Sequence, residues 1–394
     1  MTGERPAPRP WRMPMVGRSR DEEHRASTPL ELLFDLCFVV AVSQAAAALH
    51  QGVADGHAGS TLLGYLMVFF AIWWAWMNFT WFASAYDTDD VPYRLLTLTQ
   101  IAGVLVLAAG VHWAFLHYDF RAITVGYVIM RAAMIAQWTR AAVEHTEGRR
   151  TAVRYAVGIG VVQVGWVLRL LLPGGWGLLG FAVLVGAELA VPVAAEPFGR
   201  RTSWHPDHIV ERYGLFTLIV LGEVVLAATS AVQAAVAARG LSAALLLLSA
   251  GGLLLVFGLW WSYFKRPATE GLRGEVASSF VWGYTHYFAF AAVAALGAGL
   301  QVAAGAVEHS AGTGPVAAFA VAVPVGVFLV VAGSLQTLMG EPRAIAYRFV
   351  AVALLVQVAA AAAGALTLAG AILLMGVLVS TLVVTDVLLA ARHL

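Results

Sequence analysis

The chain has 394 residues, of which 60% are hydrophobic and 12% are charged, and its formal net charge at pH 7 is +1. Its mean hydropathy is +0.78. Soluble domains are roughly 45–50% apolar and about 25% charged, because polar side chains must cover their surface. The composition therefore excludes an ordinary soluble enzyme, a disordered protein and a disulfide scaffold. The near-neutral charge, with no basic stripe, argues against a nucleic-acid partner. What fits is a polytopic helical protein whose partner is the lipid bilayer.

The chain opens with a polar segment, residues 1–29, rich in Arg and Pro, which we predict to be a disordered cytoplasmic tail. Apolar stretches follow that are long enough, at about 20 residues, to cross the hydrocarbon as helices. The alternating pattern of a membrane barrel is absent. The sequence thus predicts an all-α bundle of about twelve spans, at 30–49, 61–83, 95–116, 122–143, 153–172, 176–195, 207–230, 242–263, 277–302, 315–338, 344–367 and 370–391.

Basic residues fall mostly on one side of this predicted topology. If both termini are cytoplasmic, inside segments hold 19 of the 24 Lys and Arg residues, and outside segments hold only Arg121 and Arg239. The remaining three, Arg131, Arg169 and Arg212, lie within spans. Such an excess is the positive-inside signal of membrane proteins. The distribution therefore predicts that both termini are cytoplasmic.

Span 1 begins with a capping box, in which Thr28 precedes Pro29 and Glu31 follows three residues after Thr28. Capping is therefore one role for Glu31. Asp35, one turn deeper, has no capping role and faces the same way. Such a pair suits a proton site, a cation site or an acid catalyst, while the alternative for Asp35 is an ion pair with an arginine of another span. Cys37 is the single cysteine, which excludes an internal disulfide.

Two Trp pairs suggest an internal duplication. Trp73-Trp74 and Trp260-Trp261 lie 187 positions apart, and an acid precedes each pair by a similar interval, Asp35 by 38 positions and Glu223 by 37. We therefore predict two parallel six-span halves, 30–198 and 199–394. The alternative is that the two pairs are coincident interfacial residues. The four tryptophans are also candidates for an aromatic wall that binds a cation.

Asp87, Asp89 and Asp90 follow span 2 and are interpreted as a solvated loop, with a metal-binding role left open. Further along, Glu188 is another ionisable residue inside a span.

Span 7 carries a second group of ionisable residues, His208, Glu211, Arg212 and Glu223. Glu211 is in the first turn, where it also suits the helix dipole. Glu223 shares a helix face with Arg212 and lies near the middle of the bilayer, where a carboxyl must be protonated, paired or hydrated. The spacing of His205, His208 and Glu211 is too weak to predict a metal, and no cofactor is predicted.

His286, among the aromatic residues of span 9, is interpreted either as a core histidine with satisfied hydrogen bonds or as a proton relay.

Three segments resemble motifs of the bacterial low-temperature-requirement A (LtrA) family. Residues 29–39, PLELLFDLCFV, are similar to its opening motif PLELFFDLVFV, with Leu33 in place of a Phe. The segment from His208 through Glu211 and Arg212 to Glu223 resembles the second motif. Trp260-Trp261-x-Tyr263-Phe264 resembles the third, although Lys265 replaces the acid that usually follows. The resemblance implies a polytopic protein of the bacterial inner membrane, linked by name to growth in the cold.

Three functions are consistent with these residues. The first is a transporter or channel-like protein with proton coupling, acting on a small solute or ion. The second is a membrane-embedded enzyme with a lipid or isoprenoid substrate, and the third is a structural or stress-related protein whose polar groups lock helices together. The candidate proton or substrate residues are Glu31, Asp35, His208, Glu211, Arg212, Glu223, Tyr263 and His286, with Trp73, Trp74, Trp260 and Trp261 as the aromatic wall.

Overall fold

The structure is a computed structural model that describes residues 11–19, 22, 25–196, 202–265, 272, 276–309 and 314–391. Within these ranges the regular structure is entirely helical, as predicted. A 3₁₀ turn at Gly174–Trp176 precedes α6. The α-helices are α1 Pro29–Ala54, α2 Ala58–Tyr86, α3 Val91–His117, α4 Arg121–Glu144, α5 Arg149–Arg169, α6 Gly177–Ala195, α7 Pro206–Arg239, α8 Ala243–Phe264, α9 Val276–His309, α10 Gly314–Leu338, α11 Arg343–Ala361, α12 Ala363–Leu366 and α13 Leu368–Ala391.

Eleven of the described helices are long and apolar enough to cross a membrane. These spans confirm the prediction of a polytopic helical membrane protein, and they imply a bilayer around it. The remaining long helix, α4, has 24 residues and matches the predicted stretch 122–143. It is not among the eleven, and it contains four charged residues, Arg121, Arg131, Arg140 and Glu144.

Helix starts follow the capping rules that the sequence suggests. The Thr28 amide donates to Glu31 Oε2 at 2.7 Å, and the Glu31 amide donates to Thr28 Oγ1 at 3.3 Å, which confirms the capping box of α1. Asp90 caps α3 by accepting a hydrogen bond from the Tyr93 amide at 3.0 Å. Ser242 caps α8 in the same way through the Leu245 amide.

The chain forms two compact units, each assembled from separate stretches. Unit 1 comprises Met1–Ala41 and Ala71–Arg212, and unit 2 comprises Val42–Phe70 and Tyr213–Leu394. The predicted tail and the predicted six-span halves stay predictions. Described residues of the N-terminal segment bond within unit 1, since the Met13 amide donates to Asp90 at 2.8 Å and the Met15 amide to Glu144 at 2.6 Å.

Successive helices pack together within each unit. In unit 1, α3 packs on α4, α4 on α5 and α5 on α6. In unit 2, α9 packs on α10, α10 on α11, and α13 on both α8 and α11. Gly251 of α8 and Gly376 of α13 allow the backbones of α8 and α13 to touch. A Cβ at Gly251 would lie 2.7 Å from the Ile372 carbonyl, and one at Gly376 would lie 2.7 Å from the Gly251 carbonyl oxygen.

We expect Gly251→Ala to lower the melting temperature of the protein in detergent. The added methyl group meets backbone atoms that cannot move aside, and overpacking of this kind costs about 1–3 kcal/mol. The control is Gly186→Ala in α6, where nothing lies within 4 Å of the position of a Cβ. Gly186→Ala should melt at or above the wild-type temperature, since alanine favours helix over glycine. Equal melting of Gly251→Ala and wild type would contradict the close packing.

Candidate functional site

The N-terminal turns of α1 and α7 meet in unit 1 around a group of buried charges. We call this group the Arg212 cluster; it consists of Arg25, Glu31, Asp35, Asp87, His208 and Arg212. Glu31, Asp35, His208 and Arg212 have no exposed surface, and Arg25 and Asp87 are also buried. The structure thus brings together four of the residues that the sequence suggested, along with two that it did not assign to the site.

Arg212 bridges the two carboxylates of α1. Its Nε donates to Asp35 Oδ2 at 3.1 Å while its Nη2 donates to Asp35 Oδ1, a two-pronged pairing that matches the planar guanidinium fork. Its Nη1 lies 3.1 Å from Glu31 Oε1. One arginine can reach both acids because they are four residues apart and therefore share a helix face. The predicted alternative for Asp35, an ion pair with an arginine of another span, is what the structure contains.

Trp76 completes the surroundings of Asp35. Its indole Nε1 donates to Asp35 Oδ1 at 2.7 Å. Both carboxylate oxygens of Asp35 therefore accept hydrogen bonds from charged or aromatic donors. Trp76 was not predicted to belong to the site, because nothing in the sequence pattern of α2 distinguishes it from the other aromatic residues there.

The contacts of the Glu31 carboxylate are less well aligned as hydrogen bonds than those of Asp35. Its Oε2 accepts the capping bond, while its Oε1 lies 3.1 Å from His208 Nε2, 3.1 Å from Arg212 Nη1 and 3.5 Å from Arg25 Nη2. Within the described part of the chain, Glu31 Oε1, Arg212 Nη1 and both ring nitrogens of His208 form no hydrogen bond of good geometry. These contacts are therefore held by charge, and unsatisfied polar atoms converge on the Glu31 carboxyl.

Asp87 adds a third acid from the segment between α2 and α3. Its Oδ2 lies 3.2 Å from Arg25 Nη2. Burial, together with the negative charge of Glu31, raises the pKa of Asp87 to about 6 against the pull of Arg25.

The interpretation of Asp87, Asp89 and Asp90 as a solvated loop is wrong for two of the three. Asp87 is buried against Arg25, and Asp90 is buried against Arg140, whose Nη1 donates to it at 2.9 Å. Burial raises the pKa of Asp90, but the hydrogen bond from Arg140 outweighs it and lowers the pKa to about 2. Asp89 pairs with Arg94 at 2.7 Å. Among the residues that the structure describes, no group of His, Cys, Asp and Glu could hold a metal ion.

The side chains of the Arg212 cluster include one more acid than arginine. Glu31, Asp35 and Asp87 supply three negative charges, and Arg25 and Arg212 supply two positive ones. The next pair outward, Arg18 with Glu22, approaches Asp87 to 3.9 Å and leaves this difference unchanged. Among the described residues the formal count therefore leaves one excess negative charge, which the positive ends of α1 and α7 and a proton on His208 or on a carboxyl group can offset.

A second buried acid in unit 1 has balanced charge and complete hydrogen bonding. Glu188 Oε2 accepts from Arg131 Nη2 and from Trp74 Nε1, each at 2.7 Å. Its Oε1 accepts from the Tyr127 hydroxyl at 2.9 Å and from Trp166 Nε1 at 3.1 Å. Trp74 is thus a buried hydrogen-bond donor to Glu188, and Trp73, its neighbour in the predicted aromatic wall, is buried as well.

The remaining candidate residues contact groups outside the Arg212 cluster. Glu211 is exposed and accepts from the Ser27 amide at 3.3 Å. In unit 2, His286 is buried; its Nδ1 lies 2.7 Å from the Trp282 carbonyl oxygen and its Nε2 lies 3.1 Å from the Tyr263 hydroxyl. These contacts match the interpretation of His286 as a core histidine with satisfied hydrogen bonds.

Three other candidate residues of unit 2 are more exposed than His286. Glu223 is half-buried, with no ion pair or hydrogen bond among the described residues. Trp260 and Trp261 are 42% and 46% exposed and line a cleft, in contrast to the buried Trp73 and Trp74.

Comparison with known proteins identifies the family. The model of the bacterial low temperature requirement A protein (LtrA) family matches residues 26–386. The chain belongs to the LtrA family. It is also similar to an uncharacterized protein of Rhizobium meliloti (strain 1021), with 25% identity over 293 residues that cover 68% of this chain and 67% of the relative. The family match confirms the resemblance of the three motifs and establishes a membrane protein of a bacterial family.

We expect Arg212→Gln to destabilise this LtrA-family protein by roughly 3–5 kcal/mol, because it leaves two buried carboxylates without their shared cation. Adding Asp35→Asn should restore part of the loss, since it removes one of those charges. The measurement is thermal unfolding in detergent. Arg121→Gln, at a side chain that is 83% exposed, is the control and should melt like wild type. An Arg212→Gln variant as stable as wild type would contradict the bridging role.

The raised pKa of Asp87 predicts a pH-dependent stability. Its value of about 6 in the folded protein exceeds the ordinary 3.8, so the folded state binds this proton more tightly. The resulting stabilisation is fully present below about pH 4 and is lost as the pH rises through 6, by at most about 3 kcal/mol. Asp87→Asn should remove this component. Melting curves of both proteins from pH 4 to 7 measure it; parallel curves would contradict the burial of an ionisable Asp87.

Proposed function

We propose that this protein is a proton-coupled transporter or channel-like protein of the bacterial inner membrane, and that the Arg212 cluster binds the coupling proton. The observation that carries the proposal is the charge count of the cluster, three acids against two arginines, at a place with no exposed surface for its central residues. Uncompensated charge at such a place is costly, which favours a bound proton.

The geometry favours a proton over a larger ligand. Glu31, Asp35 and Arg212 have no exposed surface, and a proton is the one ligand that needs no cavity. The enzyme alternative would require a lipid to reach Asp35, but both oxygens of Asp35 are occupied by Arg212 and Trp76. Of the three acids, Asp87 is best suited to exchange a proton, because burial and the charge of Glu31 raise its pKa to about 6. Arg212, Arg25 and His208 instead surround Glu31 with positive charge.

Protonation of Asp87 would change which contacts hold the start of α1. Ionised Asp87 shares Arg25 with Glu31, at 3.2 and 3.5 Å, whereas neutral Asp87 would leave Arg25 to Glu31 alone. Arg212 would remain bound to Asp35 in both states. A proton thus has different affinity for conformations with and without the contact between Asp87 and Arg25, which is the requirement for a ligand to shift a conformational equilibrium.

The distribution of basic residues supports a location and an orientation. With 19 of 24 Lys and Arg residues in the predicted inside segments, we propose that both termini are cytoplasmic. The first turns of α1 and α7 would then lie at the cytoplasmic face. Asp35 would be about 9 Å deeper along α1 than Pro29, at a rise of about 1.5 Å per residue.

Proton flux into proteoliposomes tests the proposal. The full chain is reconstituted with a pH-sensitive dye inside, and uptake is driven by a membrane potential in vesicles loaded in turn with Na⁺, K⁺ or mixed amino acids. Glu31→Gln should lower uptake by about tenfold or more, since it removes the excess negative charge that the bound proton compensates. Glu223→Gln tests the separate half-buried acid of unit 2.

Asp55→Asn is the matched control, because Asp55 is an exposed acid bonded to Gln51 four residues earlier. Folded Glu31→Gln protein that takes up protons like Asp55→Asn under every loading would contradict the proposal. If Glu31→Gln lowers the melting temperature while flux stays unchanged, the cluster has the structural role of the third hypothesis.

A further inference from the structure

Unit 2 carries an amphipathic cleft where α8, α11 and α13 meet. Its volume is about 790 Å³. One side is charged and the other is apolar. The charged residues are Lys265, Glu341, Arg348 and Asp386, and the apolar ones include Trp260, Trp261, Phe264, Val383 and Val387. Trp pairs of this exposure are typical of the boundary between hydrocarbon and headgroups.

The charged side of the cleft has spare hydrogen-bond donors. Buried Asp386 is shared by two cations: Lys265 Nζ lies 2.7 Å from its Oδ2, while Arg348 Nε and Nη2 lie 2.9 and 2.7 Å from its Oδ1. Both oxygens of the acid are therefore engaged. The cations stay partly accessible, with side chains 16% and 32% exposed, so this triad leaves one positive charge and several N–H groups facing the cleft.

The N-terminus of α11 also favours the binding of an anion in the cleft. The helix begins at Arg343, and Pro342 at its N-cap provides no side-chain hydrogen bond. Pro342, Ala344 and Ile345 line the cleft, so the uncapped positive end of a 19-residue helix borders it. Glu341 also lines the cleft and opposes an anion, so the four charged side chains described there sum to zero. The preference for an anion therefore depends on the N–H donors of Lys265 and Arg348 and on the positive end of α11.

The apolar side continues as a groove between α8 and α13. A second cavity of about 340 Å³ shares Trp261, Val383 and Val387 with the cleft and extends to Phe257 and Val384. Phe257 precedes Lys265 by eight residues, which is about 12 Å along α8. The charged groups thus stand at one end of a groove whose other end reaches into the apolar part of both spans.

We propose that this groove binds an anionic phospholipid of the surrounding membrane, with the phosphate at Lys265 and Arg348 and an acyl chain along Trp261 and Val384. The continuity of the cationic cleft with the apolar groove is what matches an amphiphile, whereas a free phosphate would use only the charged end. Because the site is built from residues of unit 2 and does not involve the Arg212 cluster, this inference is independent of the proposed proton coupling.

Native mass spectrometry of the full chain in detergent tests the site. The protein is titrated with phosphatidylglycerol, with phosphatidylcholine of the same acyl chains, and with inorganic phosphate. We expect phosphatidylglycerol to be retained about tenfold more strongly than phosphatidylcholine, and the triple variant Lys265→Gln, Arg348→Gln, Asp386→Asn to lose that preference. The triple variant removes the buried acid together with its partners, so no uncompensated charge remains. Arg154→Gln, at an exposed arginine, changes the net charge by the same amount and should bind like wild type.

Two further variants keep the test decisive if the triple variant fails to fold. Val384→Trp fills the apolar groove without changing a charge and should weaken phosphatidylglycerol binding by about tenfold. Glu341→Gln removes the opposing charge and should leave binding equal or stronger. Equal retention of the two lipids, or wild-type binding by folded Val384→Trp, would overturn the proposal. So would weaker binding by Glu341→Gln, or displacement of the lipid by equimolar inorganic phosphate, which would identify a free-anion site.

Discussion

The guanidinium of Arg212 is the interaction on which the arrangement of the polar residues of unit 1 depends. Its fork joins Asp35 and Glu31, which are one turn apart on α1, to the first turns of α7. Charges cannot be left uncompensated where no water reaches them, so the position of Arg212 requires the acids to face it. Trp76 then satisfies Asp35, while Arg25 and His208 gather around Glu31.

Unit 1 contains two buried acidic sites that are completed in different ways. Glu188 accepts from four donors of good geometry, one of which is the cation Arg131, and this is the pattern of a site built to hold helices together. The Arg212 cluster is similarly complete on its Asp35 side. On its Glu31 side it has an extra negative charge and polar atoms without aligned partners. The exchangeable proton is therefore on the side of Glu31, Asp87 and His208, and Asp35 serves as the fixed partner of Arg212.

The sequence predicted the helical fold and most residues of the Arg212 cluster, but it did not predict which of these residues pair with each other. Hydropathy is enough to define spans, and the Thr28–Glu31 box is local, so both were predictable. Asp35 and Arg212 are 177 positions apart, and helical periodicity assigns faces but not partners. For the same reason the pairing of Glu188 with Arg131 was not predicted. Asp87 was misjudged because its burial depends on Arg25, from the segment expected to be a disordered tail.

The central claim is that the Arg212 cluster holds an exchangeable proton, and infrared difference spectroscopy of the reconstituted protein between acid and neutral pH tests it most directly. We expect carboxylic-acid or imidazole signals in wild type and in Asp55→Asn that are lost or shifted in Glu31→Gln. Difference spectra of Glu31→Gln identical to those of wild type would contradict it.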